Sequence, residues 1–302
     1  MLLTMLVLTF IVFAIVNLEP NLKKTAIQEV GSRTSPEEIA SWLEKEGLTG
    51  NLFGRYVDWL WDIFRHGSLG HSYRESARSV NTVLWESLGT TGVLAAVVFA
   101  FMIPLSLLMG VLAGMREGSI GDRLISMLSI ISTATPEYVS GILMVAIFAF
   151  SLSWLPGSVS VDGFTAASIT IPVAAIVIYG VGYIARITRA SMAEVMTSQY
   201  IRTAHLKGVS FPSIVMRHAL RNALIAPFTV ILLQFPWLLT GVVVVEFMFN
   251  IKGFGWYLIQ SVETNDLFPM LAISLVSVAV VLSTQLLSDI GYVLLNPRIR
   301  VR

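Results

Sequence analysis

The residues of this chain best equipped for chemistry are basic ones gathered in one segment. Between Arg186 and Arg221 stand six Lys or Arg residues (Arg186, Arg189, Arg202, Lys207, Arg217, Arg221) against one acid, Glu194. Such groups bind anions, either carboxylates on a protein partner or the phosphates of lipid heads. The segment is full of helix formers up to Lys207, Gly208 interrupts it, and Phe211-Pro212-Ser213 restarts a helix running through Arg221. The expected form is therefore helix, glycine turn, helix. A basic hairpin of that kind can rest on anionic lipid or dock into a groove on a partner, and charge alone leaves both open.

A second set of polar groups sits inside apolar stretches. Glu137 is the single charge between Leu124 and Val161. Thr135-Pro136-Glu137 has the chemistry of a helix start: Thr135 as cap, Pro136 at the first helical position, Glu137 on the positive end of the dipole. Structurally this predicts a break near the inner interface that begins the true third span. Functionally, Glu137 with Tyr138 can face a translocation path. Tyr179, Tyr183, Gln234 and Trp237 carry polar tips within other apolar stretches. Gln234 needs a hydrogen-bond partner in lipid and should face protein; these groups line a path or bridge helices.

Other chemistries lack support. No Gly-x-x-x-x-Gly-Lys-Ser/Thr run is present to cradle ATP phosphates. With no cysteine, disulfides and thiolate metal sites are excluded. His66 and His71 have no clustered carboxylates beside them in sequence, and neither a metal nor a catalytic residue is expected.

The elements that position these residues follow from composition. Hydrophobic residues make up 55% of the 302 and charged residues 13%, with mean hydropathy +0.76; an ordinary soluble domain carries about 25% charge. Ser87–Met115, Gly163–Ala185, Asn222–Val245 and Leu267–Ser288 contain no Asp, Glu, Lys or Arg, and neither does Met1–Leu18. Crossing the hydrocarbon takes about 20 apolar residues. Five blocks reach that length and the first, residues 1–18, is short. It lacks the basic leader and A-x-A cleavage pattern of a signal peptide, so it reads as an anchor. The expected fold is an all-α integral membrane protein with six transmembrane helices.

Basic residues stay on the cytoplasmic side. Arg116 and Arg123, the six of 186–221, and Arg298, Arg300 and Arg302 fall in alternate gaps, while Asp162 is the only charge between the third and fourth blocks. Six spans with both termini inside satisfy every short loop. Residues 19–86 hold eight basic and ten acidic residues and read as an external subdomain, followed by a five-helix core, 87–302. Ser35-Pro36-Glu37-Glu38 starts a helix there and Gly47 closes it. The aromatic stretch Tyr56–Phe64 suits a helix in the membrane interface. Gly110-Val-Leu-Ala-Gly114 allows close helix approach, and Pro104, Pro172, Pro227 and Pro236 are expected to kink or interrupt spans.

Tyr200-Ile-Arg-Thr-Ala-His-Leu-Lys-Gly208, followed after nine residues by His218-Ala-Leu-Arg-Asn-Ala-Leu-Ile225, resembles the "EAA loop" of binding-protein-dependent ABC importers. It is most similar to the variant in permeases of the dipeptide/oligopeptide family. Arg202, Thr203 and Ala204 occupy the first three places, Gly208 the glycine, and His218, Leu220 and Arg221 the last group; the general pattern's Glu, Ile and Pro are absent. Val245–Phe249 with Gly253-Phe254-Gly255, then Asp266, and Leu287-Ser288-Asp289 through Asn296-Pro297-Arg298-Ile299-Arg300 resemble further segments of that family. The large loop after the first span resembles the first (B-type) permease subunit; the short N-terminus departs from it.

The resemblance implies an ABC type I importer permease fold in a bacterial or archaeal cytoplasmic membrane. It implies that Tyr200, Arg202, Thr203, Ala204, Lys207, Gly208 and Arg221 couple the chain to a separate ATPase subunit. ATP and Mg would sit on two such subunits and not on this chain, beside a second permease and an external substrate-binding protein. Peptides are the implied cargo, with nickel complexes, glutathione and oligosaccharides open. An ion-gradient transporter is the rival reading; it predicts buried ionisable pairs, for which Glu137 alone is thin support.

Overall fold

The structure is a computed structural model and describes residues 2–31, 34–72, 78–159, 163–240 and 242–295. The expected C-terminal signature at Asn296–Arg300, Arg302 and the loop residue Asp162 lie outside these. Fifteen α-helices and two π-helical segments account for the regular structure described: α1 (Leu2–Val16), α2 (Glu19–Val30), α3 (Pro36–Lys45), α4 (Leu52–His66), α5 (Val80–Gly114), α6 (Ile120–Ala134), α7 (Glu137–Met144) continuing as a π-helix (Val145–Ser151), α8 (Ala166–Met196), α9 (Gln199–Leu206), α10 (Phe211–Ser213) continuing as a π-helix (Ile214–Ala219), α11 (Leu220–Ala223), α12 (Ile225–Thr240), α13 (Val243–Met248), α14 (Phe254–Glu263) and α15 (Leu267–Leu295).

Three helices are long and apolar enough to cross a membrane alone: Val80–Gly114, Ala166–Met196 and the Leu267–Gly291 part of α15. Counting each of three bent pairs as one span brings the number, by length and composition, to as many as six. They are α1 with α2 (57°), α6 with α7 and its π extension (96°), and Phe211–Ala223 with α12 (49°). The six apolar blocks thus all appear, yet three of them are not straight spans.

The break at 135–137 falls where expected, but Thr135 does a different job. Its amide and hydroxyl both donate to the Ile131 carbonyl (3.2 and 3.1 Å), so it ends α6 and does not cap α7. The ring of Pro136 disfavours the helical region for its predecessor, and Thr135 sits at φ −101°, ψ 116°. Glu137 does open α7. Pro104 and Pro172, by contrast, lie inside helices that run on uninterrupted for 35 and 31 residues.

The chain forms two compact units, residues 1–91 with 252–283 and residues 92–251 with 284–302. In the first, the start of α3 follows the sequence closely. The Ser35 hydroxyl accepts from the Glu38 amide (3.3 Å), the Glu38 carboxylate accepts from the Ser35 amide (2.8 Å), and Gly47 turns the exit at φ +66°. One core of this unit joins α1, α4 and the start of α15 through Phe13, Tyr56, Trp59, Leu267 and Leu271. Another gathers Leu84, Phe254, Tyr257 and Ile273. Asp266, at the entry to α15, is buried and accepts a hydrogen bond from the Ser72 hydroxyl.

The second unit is organised around α8, which is buried on most of its turns. Met102, Ile176, Ile184, Leu238, Val245 and Phe249 share its main core. Backbones come close where glycines permit. A Cβ on Gly110 would stand 2.3 Å from the Thr188 Cβ, and one on Gly114 would stand 2.5 Å from the Arg189 carbonyl. On the facing side, a Cβ on Gly182 would stand 1.9 Å from the Ser132 hydroxyl and 2.8 Å from the Ser129 carbonyl. The Gly110-x-x-x-Gly114 pattern therefore seats α5 on α8, and Gly182 seats α6.

Gly182→Val should force α6 from α8 and destabilise the fold by about 1–3 kcal/mol, the usual cost of overpacking. Gly92→Ala, inside α5 with open space around its Cβ, should leave stability unchanged or raise it by up to about 1 kcal/mol. Thermal unfolding of the two variants in detergent checks this contrast.

Candidate coupling surface

The predicted hairpin forms. After α8 ends at Met196, a short turn leads into α9, whose Ile201 and Ala204 point inward. They join Met192, Ile214, Val215, Ala219 and Ala223 in a small apolar core, with Val209 and Phe211 packed at its edge. This core holds the hairpin to the end of α8. Two hydrogen bonds add to it: the Ser191 hydroxyl donates to the Ala223 carbonyl (2.9 Å), and the Asn222 amide donates to the Tyr200 hydroxyl (2.9 Å).

Gly208 makes the turn possible. It sits at φ +77°, a region costing an L-residue about 1–2 kcal/mol. Its amide donates to the His205 carbonyl (3.0 Å) and the Val209 amide to the Ala204 carbonyl (3.2 Å). This pair of bonds satisfies the last carbonyls of α9, and Val209 then packs back onto the apolar core.

The turn sorts the expected residues. Tyr200, Arg202, Thr203, Lys207, Gly208 and Arg221 are exposed. Ala204 is buried and supports the hairpin from beneath, so it is not part of the exposed face. Leu206, which the sequence pattern did not single out, is 82% exposed at the tip of α9. An apolar side chain that free of its own fold, flanked by Arg202, His205 and Lys207, is suited to burial in a partner. The only signal in the sequence was a leucine out of step with the inward positions 201 and 204.

A second feature also escaped the sequence reading. Arg189, on the last turns of α8, forks onto Asp122 at 2.9 and 2.8 Å and reaches Glu117 at 3.2 Å. Asp122 is buried in the first turn of α6 and also accepts from the Gly118 amide (2.9 Å). Ser119 caps the same helix by accepting from the Asp122 amide (3.2 Å). The ion pair ties the start of α6 to the part of α8 from which the hairpin hangs. Beside it, the Arg116 guanidinium lies 5.3 Å over the Phe211 ring, which also faces His205.

The candidate path residues are only partly gathered. The Tyr179 and Trp237 rings stack with centroids 5.7 Å apart. Gln234, one turn before Trp237 on α12, is 8% exposed and so faces protein as expected. Glu137 and Tyr138 open α7, and among the described residues no hydrogen bond or ring contact joins them to that pair. Tyr183 is exposed on α8. His66 pairs with Asp62 (2.6 Å), and the His71 ring lies 5.0 Å from that of Phe268.

With this geometry in view, likeness to known proteins becomes informative. Residues 103–301 match the family described as binding-protein-dependent transport system inner membrane component. A putative peptide transport system permease protein of Brucella abortus is 33% identical over 98% of this chain and 95% of its own length. The oligopeptide transport system permease protein OppB of Haemophilus influenzae is 32% identical over 88% of this chain and 86% of its own. A probable peptide ABC transporter permease of Sinorhizobium fredii is 30% identical over 96% and 93%.

Arg189→Met strands a buried carboxylate and should destabilise the fold by about 2–3 kcal/mol. Adding Asp122→Asn to it should recover part of that loss. A double-mutant cycle read by thermal unfolding measures the coupling; additive losses would mean that the pair does not act as one.

Proposed function

The chain belongs to the family of inner membrane components of binding-protein-dependent transport systems, and on that premise we propose that it is the peptide-importing permease half whose α9 hairpin couples transport to ATP hydrolysis. It is a permease and has no ATPase activity of its own. Its family works with ATPase and substrate-binding partners. The specific assembly proposed here is one second permease, two ATP-binding subunits that carry ATP and Mg, and one external binding protein. Both termini are placed in the cytoplasm on the basis of the positive charge in alternate gaps.

The single observation that supports the coupling role is the outward face of α9: Tyr200, Arg202, Thr203, Leu206, Lys207 and Gly208 exposed on a helix whose other face is buried. Leu206 is the apolar anchor in this reading, since fully desolvated side chains near the centre of an interface carry most of its energy. Arg202, Lys207 and Arg221 pair with carboxylates around it. Gly208 keeps the tip narrow. Motion of the ATPase subunits is passed through the apolar core under α9 to α8, and through Arg189 and Asp122 to α6. Peptides are assigned as cargo because the relatives named above are described as peptide permeases. Tyr179, Gln234 and Trp237, with Glu137 and Tyr138, are assigned to the path.

The test is reconstitution of the chain with its ATPase, second permease and binding protein in proteoliposomes. Leu206→Ser and Arg202→Glu are each expected to lower binding-protein-stimulated hydrolysis and peptide uptake about tenfold, a loss of about 1.4 kcal/mol at the interface. Lys24→Ala, on an exposed helix of the other unit, should change neither. Unaltered coupling in the first two variants would end the assignment of α9, and uptake by the chain alone under an ion gradient would end the importer reading.

A further inference from the structure

Helix α4 carries two apolar faces, and the fold buries only one of them. At 100° per residue, Trp59, Leu52, Ile63, Tyr56 and Leu60 fall in one sector of about 100°, which faces the core shared with α1 and α15. Arg65, Asp58, Asp62, Arg55 and His66 fall in a second, polar sector. Phe53, Val57, Trp61 and Phe64 fill a third, within about 80° of one another, and are 60, 45, 64 and 81% exposed. An exposed stripe of three aromatic residues and a valine is costly in water at about 25 cal/mol per Å².

The register of α4 along α1 indicates what covers the stripe. The Tyr56 hydroxyl lies 2.7 Å from the Thr9 hydroxyl and donates to the Leu6 carbonyl (3.0 Å). The Phe10 ring packs edge-on against Phe53 (6.0 Å) and Tyr56 (5.1 Å), and Phe13 lies 5.6 Å from Trp59. These partners, Leu6 to Phe13, are the middle of α1, a helix with no charged residue whose Leu3, Val7, Ile11 and Ile15 are themselves exposed. Arg55, from the polar sector, donates instead to Asn17, just past the end of α1.

We propose that α4 is embedded in the bilayer, in the leaflet at the C-terminal end of α1, with the stripe Phe53–Val57–Trp61–Phe64 in the acyl and headgroup boundary and the polar sector in water. Three sectors then meet three surroundings: protein, lipid and water. The Thr9–Tyr56–Leu6 hydrogen bonds satisfy, within the protein, polar groups that hydrocarbon cannot. Aromatic residues are favoured at this boundary. The large loop after α1 is thereby anchored by its own helix, independently of which solute is carried and of the coupling role of α9.

The absence of cysteine makes the test direct. Single cysteines at positions 53, 57, 61 and 64, and at 58, 62 and 65, are spin-labelled in the full complex in phosphatidylethanolamine/phosphatidylglycerol nanodiscs. The ratio of oxygen to nickel-chelate accessibility should be about threefold or more higher at the first four than at the last three, as for a helix lying in an interface. Water-like values at all seven positions would overturn the proposal. So would a stripe that is water-exposed until the external binding protein is added, which would make it a protein-docking face. If the labelled variants fail to assemble, brominated lipid should quench tryptophan emission more in the unsubstituted chain than in Trp61→Phe. Equal quenching would refute the embedding.

Discussion

The arrangement of the second unit depends on how closely backbones can approach α8. Between helices in a membrane there is little hydrophobic driving force, because lipid tails are as apolar as leucine. Close van der Waals packing has to replace it, and packing density falls steeply with sub-ångström gaps. Gly110 and Gly114 bring α5 onto α8 and Gly182 brings α6 onto it, each at a distance that a single methyl group would prohibit. The sulfur of Met102 occupies the corresponding place over Gly180. Burial of α8 follows from these contacts, and so does the position of everything built on its far end.

What is built there is the hairpin of α9 to α11. The hairpin from Gln199 to Ala223 is joined to α8 by an apolar core and the Ser191–Ala223 hydrogen bond, and the Asn222–Tyr200 bond ties its two arms together. Arg189 extends the joint to α6. Guanidinium and carboxylate in a forked pair define direction as well as distance, so α6 and the end of α8 are held in one orientation. The sharp change of course comes only beyond α6, at Thr135–Pro136, where the proline ring disfavours helical continuation and Thr135 adopts extended backbone. The bend is thus displaced from the joint that the Arg189–Asp122 pair makes between α6 and α8.

Much of this was legible from residue order. Blocks with no charge or, in one case, a single one marked the six apolar passages, Ser35 and Glu38 announced a capping box, Pro136 announced a break, and Gly208 announced a turn between two helices. All of these are local signals, in which a residue's own backbone preference or its neighbours within one helical turn set the outcome. The misplaced details were also local but involved competition. Thr135 stood between the free carbonyls that end α6 and the free amides that open α7, and its hydroxyl and amide both donate to the former. Pro104 and Pro172 were absorbed in helices of 35 and 31 residues that run on past them, Pro104 on an exposed face and Pro172 on a buried one. Ala204 carried a motif position in the sequence, yet helical phase turned it inward with Ile201.

The sequence by itself determined membrane residence, the helical class and the existence of a basic hairpin, because hydrophobicity, charge and glycine act through short-range physics that requires no partner. Tertiary structure alone decided which of the hairpin's residues are presented, since facing out is defined by what lies beneath: Ala204 is covered by the core and Leu206 is not. It also decided the Asp122–Arg189 pair, 67 residues apart in the chain, and the register that lays α4 beside the middle of α1. Each depends on two distant segments meeting at a particular distance, and nothing in the order of residues specifies that distance until the helices have packed.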